Sequence, residues 1–498
     1  MPARHFIGAF GLALLVSANP VLAAERPAPT GGVLSLLPQP STTEHSITTP
    51  AGTLDYKAET GTLSLLGGDG AVTAEIFYTA YSRKPKGDAK RPITFVFNGG
   101  PGAASAYLHI GALGPRVVRT APDGSFLSPP QSLEDNPDTW LDMTDLVFVD
   151  PVGTGYSREA PGNDTKNFWG VDQDASSMGA FIRLFLSQSS RTGSPFYLAG
   201  ESYGGFRAAL LARTLQEDVG LSPSGIVLIS PALEFALLRG DDFLLWQYAF
   251  ELPAMAATKL EGEGVHGDEL KRRLDEVERY ARGDYVTALA SGLEAGRDKA
   301  SERVAEITGL PLDLVRRNYA RIPASVFARE FQRQTGKVLS LYDGTITTPD
   351  IAPDSLRSET PDPVLDRSVP VLTSLFVDYV QKDLNWRTPV SYRLLNGEIS
   401  GKWDYGTSST RQGFAGVLAD IQKARSLNPD LGVLIAHGFA DLVTPYTSSR
   451  FLIDQLPSLE GAAPIRLTTY EGGHMMYFRK DSRAALKRDA ATLFGVAD

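Results

Sequence analysis

Five short apolar runs limit what this chain can fold into: Ile93-Thr94-Phe95-Val96-Phe97, Leu146-Val147-Phe148-Val149, Phe196-Tyr197-Leu198-Ala199, Gly225-Ile226-Val227-Leu228-Ile229 and Val433-Leu434-Ile435-Ala436. None alternates polar with apolar residues, so each must be covered on both faces, as strands are in parallel sheets flanked by helices. Residues 206–215, which follow the third run, have the pattern of such a helix. The expected class is α/β, with a mixed, mostly parallel central sheet and helices on both faces. Upstream, residues 53–57, 62–65 and 72–81 are strand-like. The last two are separated by Gly67-Gly68-Asp69-Gly70, which predicts an antiparallel hairpin region at one sheet edge.

Between about Glu234 and Val369 the pattern becomes helical: Leu270, Leu274, Val277 and Ala281 recur at helical spacing in a charged stretch. Helices interrupting a parallel-sheet pattern predict an insertion that caps the sheet. The expected organisation is a core of residues 25–233 and 370–498 with a cap at 234–369. Phe243, Trp246, Tyr248, Phe250 and Met255 at its start fit cap core, or an apolar substrate wall. Residues 1–24 carry Arg4, an apolar run from Phe6 to Val16 and Val21-Leu22-Ala23-Ala24. This is the pattern of a secretory signal peptide cleaved after Ala23 or Ala24, and it predicts a periplasmic or secreted protein. The run is too short for a membrane anchor and is followed by Asn19-Pro20, so no integral segment is expected after cleavage. A formal net charge of −10 disfavours nucleic acid and anionic lipid as partners. The absence of cysteine excludes disulfides and thiol chemistry. Stability must then come from the core or from oligomerisation, with a homodimer the simplest form.

The sequence Gly200-Glu201-Ser202-Tyr203-Gly204 fits G-x-S-x-G, in which a serine sits on a sharp strand-to-helix turn. A serine nucleophile needs a base, and the candidates are His45, His109, His266, His437 and His474. His474 lies in the glycine-backed loop Glu471-Gly472-Gly473-His474-Met475 near the C-terminus, where the base is expected. His437, beside a strand end, is its strongest rival. The acid should fall between serine and histidine, and Asp441 follows the last apolar run in the loop His437-Gly438-Phe439-Ala440-Asp441. Asp420, Asp430 and Glu471 are nearby competitors. An oxyanion hole needs backbone amides, and Asn98-Gly99-Gly100-Pro101-Gly102 directly follows the first run. The expected donors are the amides of Gly100 and Tyr203. A phosphate loop is disfavoured there, because the proline lacks a donor and no Gly-Lys-Ser/Thr follows.

Taken together, Asn98-Gly99-Gly100-Pro101-Gly102, Asp150-Pro151-Val152-Gly153-Thr154-Gly155-Tyr156-Ser157, Gly200-Glu201-Ser202-Tyr203-Gly204-Gly205 and Gly473-His474-Met475 resemble the serine carboxypeptidases in order and approximate spacing. The resemblance implies an α/β-hydrolase fold with an inserted cap, a triad of Ser202, Asp441 and His474, no metal or cofactor, and release of C-terminal amino acids from peptides at acidic pH. It also implies that the substrate carboxylate is held by Asn98, the Gly99 amide and Glu201. Glu201 would have to share a proton with that carboxylate, because two like charges in one site disfavour joint ionisation. The chain departs from the family where Val96 replaces a Trp and Ala112 a Glu, both in the carboxylate network, and where Ala103 replaces a Cys. Two other readings therefore stay open: an esterase or acyltransferase using the same triad, and a non-catalytic binding protein of the envelope.

Overall fold

The computed structural model describes residues 31–84, 90–238, 243–355, 358–406 and 415–496. The expected signal peptide, residues 1–24, lies outside them. The central sheet has ten strands: β1 (Ser41–Thr49), β2 (Gly52–Leu66), β3 (Val72–Ser82), β4 (Ile93–Phe97), β5 (Asp145–Val149), β6 (Arg158–Glu159), β7 (Phe196–Glu201), β8 (Gly225–Ile229), β9 (Gly432–Gly438) and β10 (Ile465–Tyr470). Their spatial order is β1-β2-β3-β5-β4-β7-β8-β9-β10, with β6 paired to β3. Every pairing from β5 through β10 is parallel, whereas β1, β2, β3 and β6 pair antiparallel and β3 meets β5 antiparallel. This is the mixed, mostly parallel α/β sheet expected.

The apolar runs are buried because the pleat sends alternate residues to different cores. Phe95, Phe97, Leu198, Ile226, Leu228, Val433 and Ile435 enter one hydrophobic cluster, and Val96, Ala199, Val227, Ile229, Leu434 and Ala436 the other. The strand-like upstream region is longer than its pattern suggests. β1 begins at Ser41, within what reads as a loose N-terminal lead, and pairs in continuous register with β2. β10 has no counterpart among the apolar runs. It is an edge strand whose Arg466, Thr468 and Thr469 are half-buried, so it never needed an apolar sequence.

Between β8 and β9 the chain is mainly helical. Three of its helices, Leu245–Gly262, Gly267–Tyr280 and Leu293–Thr308, share a third cluster that also takes in Phe439, Leu442 and Tyr446 from the segment after β9. The helix Leu365–Lys382 spans position 369, and its Val371, Leu372, Phe376, Tyr379 and Val380 pack into a sheet cluster. The chain then returns against the turn after β4: the Ala104 amide donates to the Leu394 carbonyl and the Asn396 amide to that of Gly102, at 2.8 and 2.9 Å. Among the described residues no helix is long and apolar enough to cross a membrane.

One acid in the third cluster has a consequence for stability. Glu251 is 7% exposed and accepts from Gln247 Nε2 at 3.1 Å and the Ala324 amide at 2.8 Å. Burial pushes its carboxyl up to about 7 despite both hydrogen bonds. The folded chain thus keeps a proton that the unfolded chain releases near 4.5, and stability falls by about 3 kcal/mol as pH rises from there to about 7. Glu251→Gln should match the wild type near pH 4 and exceed its stability by up to about 3 kcal/mol above pH 7. Urea midpoints across that range check this; a pH-independent difference would refute it.

Candidate active site

The parallel strands end on the same side of the sheet, where ligand sites of open α/β sheets form. Asn98 follows β4, Ser202 follows β7, Ser230 follows β8, Asp441 follows β9 by three residues, and His474 follows β10 by four. Ser202 has φ +59° and ψ −123°, a conformation costly for an L-residue, between Glu201 of β7 and the helix Tyr203–Thr214. The turn closes because its glycines have no side chain: a Cβ on Gly200 would overlap the Gly204 carbonyl. Gly99 is pressed on the same turn. A Cβ there would lie 2.5 Å from the Tyr203 nitrogen and 2.9 Å from Ser202 Cβ.

A cavity of about 410 Å³ opens above this turn. Gly100, Glu201, Ser202, Tyr203, Thr444 and His474 border it, so Gly100 and Tyr203 share the rim with Ser202. The helix starting at Tyr203 adds the positive end of its dipole there. A larger cleft of about 800 Å³, bordered by Glu261, His266, Glu471 and Arg479, includes neither Ser202 nor His474. Cavity size therefore does not locate the serine chemistry.

His474 and Asp441 are fully buried and joined by His474 Nδ1 donating to Asp441 Oδ2 at 2.8 Å. That proton location leaves the Nε2 lone pair free to accept. Asp441 Oδ1 accepts from the amides of Val443 and Thr444 at 2.8 and 2.9 Å. Thr444 Oγ1 lies 2.7 Å from Asp441 Oδ2 and 3.0 Å from His474 Nδ1. The His474 backbone is held as well: its amide donates to the Tyr342 carbonyl at 2.5 Å, and its carbonyl accepts from Ser230 Oγ at 2.8 Å. Burial works against a charged imidazole, but Asp441 and then Glu201 outweigh it and leave His474 above the usual histidine range.

Glu201, also buried, faces the same cavity. Its Oε2 accepts from Asn98 Nδ2 at 2.6 Å and its Oε1 from Tyr477 Oη at 3.2 Å. Oε1 is 4.0 Å from His474 Nε2. Burial raises the Glu201 carboxyl, and His474, Asn98 and Tyr477 offset that only in part. The Asn98 carbonyl accepts from Arg207 Nη1 at 2.6 Å, and Arg207 Nε is paired with Asp174 at 2.6 Å, both side chains buried. This pair anchors the loop after β4 to the helix after Ser202.

The structure thus gathers Ser202, Asp441, His474, Gly100, Tyr203, Asn98, Gly99 and Glu201 at one end of the sheet, where Gly100, Glu201, Ser202, Tyr203 and His474 border the cavity and Asp441, Asn98 and Gly99 stand behind them. None of the rival histidines borders this cavity. His437 is bonded to Ser449 Oγ at 2.9 Å and held down to about 4 by burial; His109 is bonded to Tyr81 at 2.7 Å, stacked on Phe148 and held down to about 3. His45 is half-buried beside Thr43, and the exposed His266 meets Glu471. Asp420 pairs with Arg213. Of the aromatic run, Trp246 and Phe250 stack with Phe451, and the cavity wall comes from Phe235 and Leu238 instead. Thr444, Arg207, Asp174 and Tyr477 carried no motif that reasoning from sequence could use. Their roles exist only as contacts.

Residues 51–221 match a family model described as serine carboxypeptidase; the match includes Asn98 and Ser202 and ends before Asp441 and His474. Serine carboxypeptidase-like 5 of Arabidopsis thaliana is 27% identical over 248 residues, covering 47% of this chain and 50% of the relative. A pheromone-processing carboxypeptidase KEX1 of Yarrowia lipolytica is 34% identical over 143 residues, covering 28% of this chain and 21% of the relative. The chain therefore aligns with half the length of the first relative and about a fifth of the second. Among solved structures, the Saccharomyces cerevisiae prohormone-processing carboxypeptidase KEX1 superposes with a TM-score of 0.55 at 16% identity, over 88% of this chain and 91% of that one, and so shares its fold. Residues 51–221 are thus similar to the serine carboxypeptidases, and the chain shares the fold of the KEX1 structure.

Proposed function

We propose that the chain is a serine carboxypeptidase that releases C-terminal residues from peptides. The observation that carries this is the 2.8 Å His474–Asp441 bond beside a cavity bordered by Ser202, His474 and Glu201, with Asn98 bonded to Glu201 from behind. Ser202 Oγ gives its proton to His474 Nε2 and attacks the last peptide carbonyl, whose oxyanion takes the amides of Gly100 and Tyr203. His474 then protonates the leaving amine. Water, losing a proton to His474, attacks the ester and frees Ser202. Asp441 keeps the imidazole in its working tautomer throughout. Asn98, the Gly99 amide and protonated Glu201 hold the terminal carboxylate. All of these groups come from one chain, and the chemistry calls for no metal or cofactor.

In the same proposal residues 234–369 act as a cap. Phe235, Leu238 and Tyr342 already border the cavity, and Leu365 joins them at the end of the insertion. The leader at residues 1–24 would export the protein to the periplasm, where a chain without cysteine needs no oxidative folding.

Ser202→Ala, folding intact, should lose at least about 10³-fold in kcat. Peptides with free and amidated C-termini, followed by mass spectrometry, test the anchor: the free form should be strongly preferred. Equal cleavage would remove the carboxypeptidase function in favour of a broader hydrolase, and no cleavage of peptides alongside rapid turnover of simple esters would favour an esterase.

The pH dependence follows from two linked groups. Turnover needs neutral His474, so activity rises as pH passes through the raised His474 value, and carboxylate binding needs protonated Glu201, so affinity falls as pH passes through its own raised value. Because the two face each other, the limbs of the bell-shaped kcat/KM profile belong to the pair. Glu201→Gln cannot ionise and should abolish the alkaline limb for free peptides. An unchanged limb would assign it to another group.

A further inference from the structure

Glu201 and His474 create a conflict. His474 needs its Nε2 free to take the serine proton, yet a carboxylate oxygen stands 4.0 Å away in a buried site. At that distance an ion pair is one small side-chain rotation from closing, and it would hold the imidazole protonated and useless as a base. Two donors oppose that rotation, one on each Glu201 oxygen. Asn98 holds Oε2 from the β4 turn, and Tyr477 holds Oε1, the oxygen that faces His474.

Tyr477 is built for this contact. Its side chain is fully buried, and its hydroxyl makes its hydrogen bond to Glu201. The ring cannot retreat, because a Cβ on Gly111 would already lie 3.2 Å from it, and its own backbone carbonyl is held by Arg483, which pairs with Asp138. Tyr477 also lies three residues after His474, on the same tight segment that runs into the 3₁₀ turn Met476–Phe478. One segment thus delivers both the base and the donor that restrains the acid facing it. Gly111 precedes Ala112, the position where the family resemblance leads one to expect a glutamate partner for this carboxylate network.

Given the carboxypeptidase function proposed above, on which this rests, we infer that Tyr477 is a positioning residue that holds Glu201 Oε1 off His474 Nε2 and keeps it aimed at the substrate's terminal carboxylate. Other groups around Glu201 are Asn98, Tyr107, Tyr342 and Asp441; around His474 they are Asp441 and, beyond it, His437. Tyr107 and Tyr342 have phenols that burial holds neutral, so neither supplies a competing charge.

Tyr477→Phe removes one oxygen and keeps the ring. Two changes are expected. KM for a free-carboxylate peptide should rise up to about tenfold, because Glu201 is no longer held facing the terminal carboxylate, with a smaller change in kcat at the optimum. For a simple ester, which needs neutral His474 but no protonated Glu201, the acid limb of kcat/KM should move up by about half a pH unit or more, because the released Glu201 carboxylate now favours the imidazolium. In a Glu201→Gln background Tyr477→Phe should change neither quantity, since it acts only through that carboxylate. Melting temperatures report the folding of each variant, and the Glu201→Gln pair of proteins is the second test. An unmoved acid limb and unchanged KM in Tyr477→Phe, or equal effects in the presence and absence of Glu201, would overturn the inference. Failure of the wild type to prefer free over amidated peptides would instead remove the function beneath it.

Discussion

The backbone of Ser202 is the constraint on which the site depends. A serine at φ +59° is strained, and strain persists only where the surroundings over-determine it. Here the Gly204 carbonyl closes on Gly200, the Gly99 backbone sits against Tyr203, and the Ser202 amide donates to the Ile229 carbonyl at 2.9 Å. The Asp174–Arg207 pair fastens the Asn98 carbonyl to the helix that starts the turn. A buried ion pair of this kind contributes little net stability after desolvation, but it leaves one arrangement in which both charges are satisfied. Its effect is to place the turn after β4 and the turn after β7 in a single register.

Two buried acids then acquire different chemistry from different donors. Asp441 accepts two backbone amides on one oxygen and faces His474 and Thr444 with the other. Glu201 has one side-chain donor on each oxygen and lies in a site where burial favours the protonated form. One acid can orient an imidazole while the other can share a proton with a carboxylate. That division is the usual way a fold gives two acids in one cavity separate tasks.

The helical stretch between β8 and β9 is packed against this site. Its cluster includes Phe439, Leu442 and Tyr446 from the loop that carries Asp441, and its Tyr342 carbonyl accepts from the His474 amide. Tyr342 also stands edge-on to the His474 ring, with centroids 5.3 Å apart. Movements of the insertion would therefore be felt at the acid and the base, not only at the mouth of the cavity.

Much was legible in the sequence because it depends on local patterns. Fully buried parallel strands require unbroken apolar runs, and the serine turn requires glycines at 200 and 204, so the sheet class and the sharp turn at Ser202 could be read directly. β10 could not, since an edge strand needs no apolar run, and neither could the start of β1 inside a polar lead. The choice of His474 over His437 had only chain order behind it, and the fold separates them by surroundings: one ring meets a carboxylate at the cavity, the other a serine hydroxyl in the core. Thr444, Tyr477 and the Asp174–Arg207 pair have no signature at all, because their contacts join residues far apart in the chain or depend on where a loop points a side chain. The sequence alone determined which groups are available for chemistry and on which strand ends they stand. Only the tertiary structure decided which protons those groups exchange, because hydrogen-bond geometry and burial are properties of the packed chain.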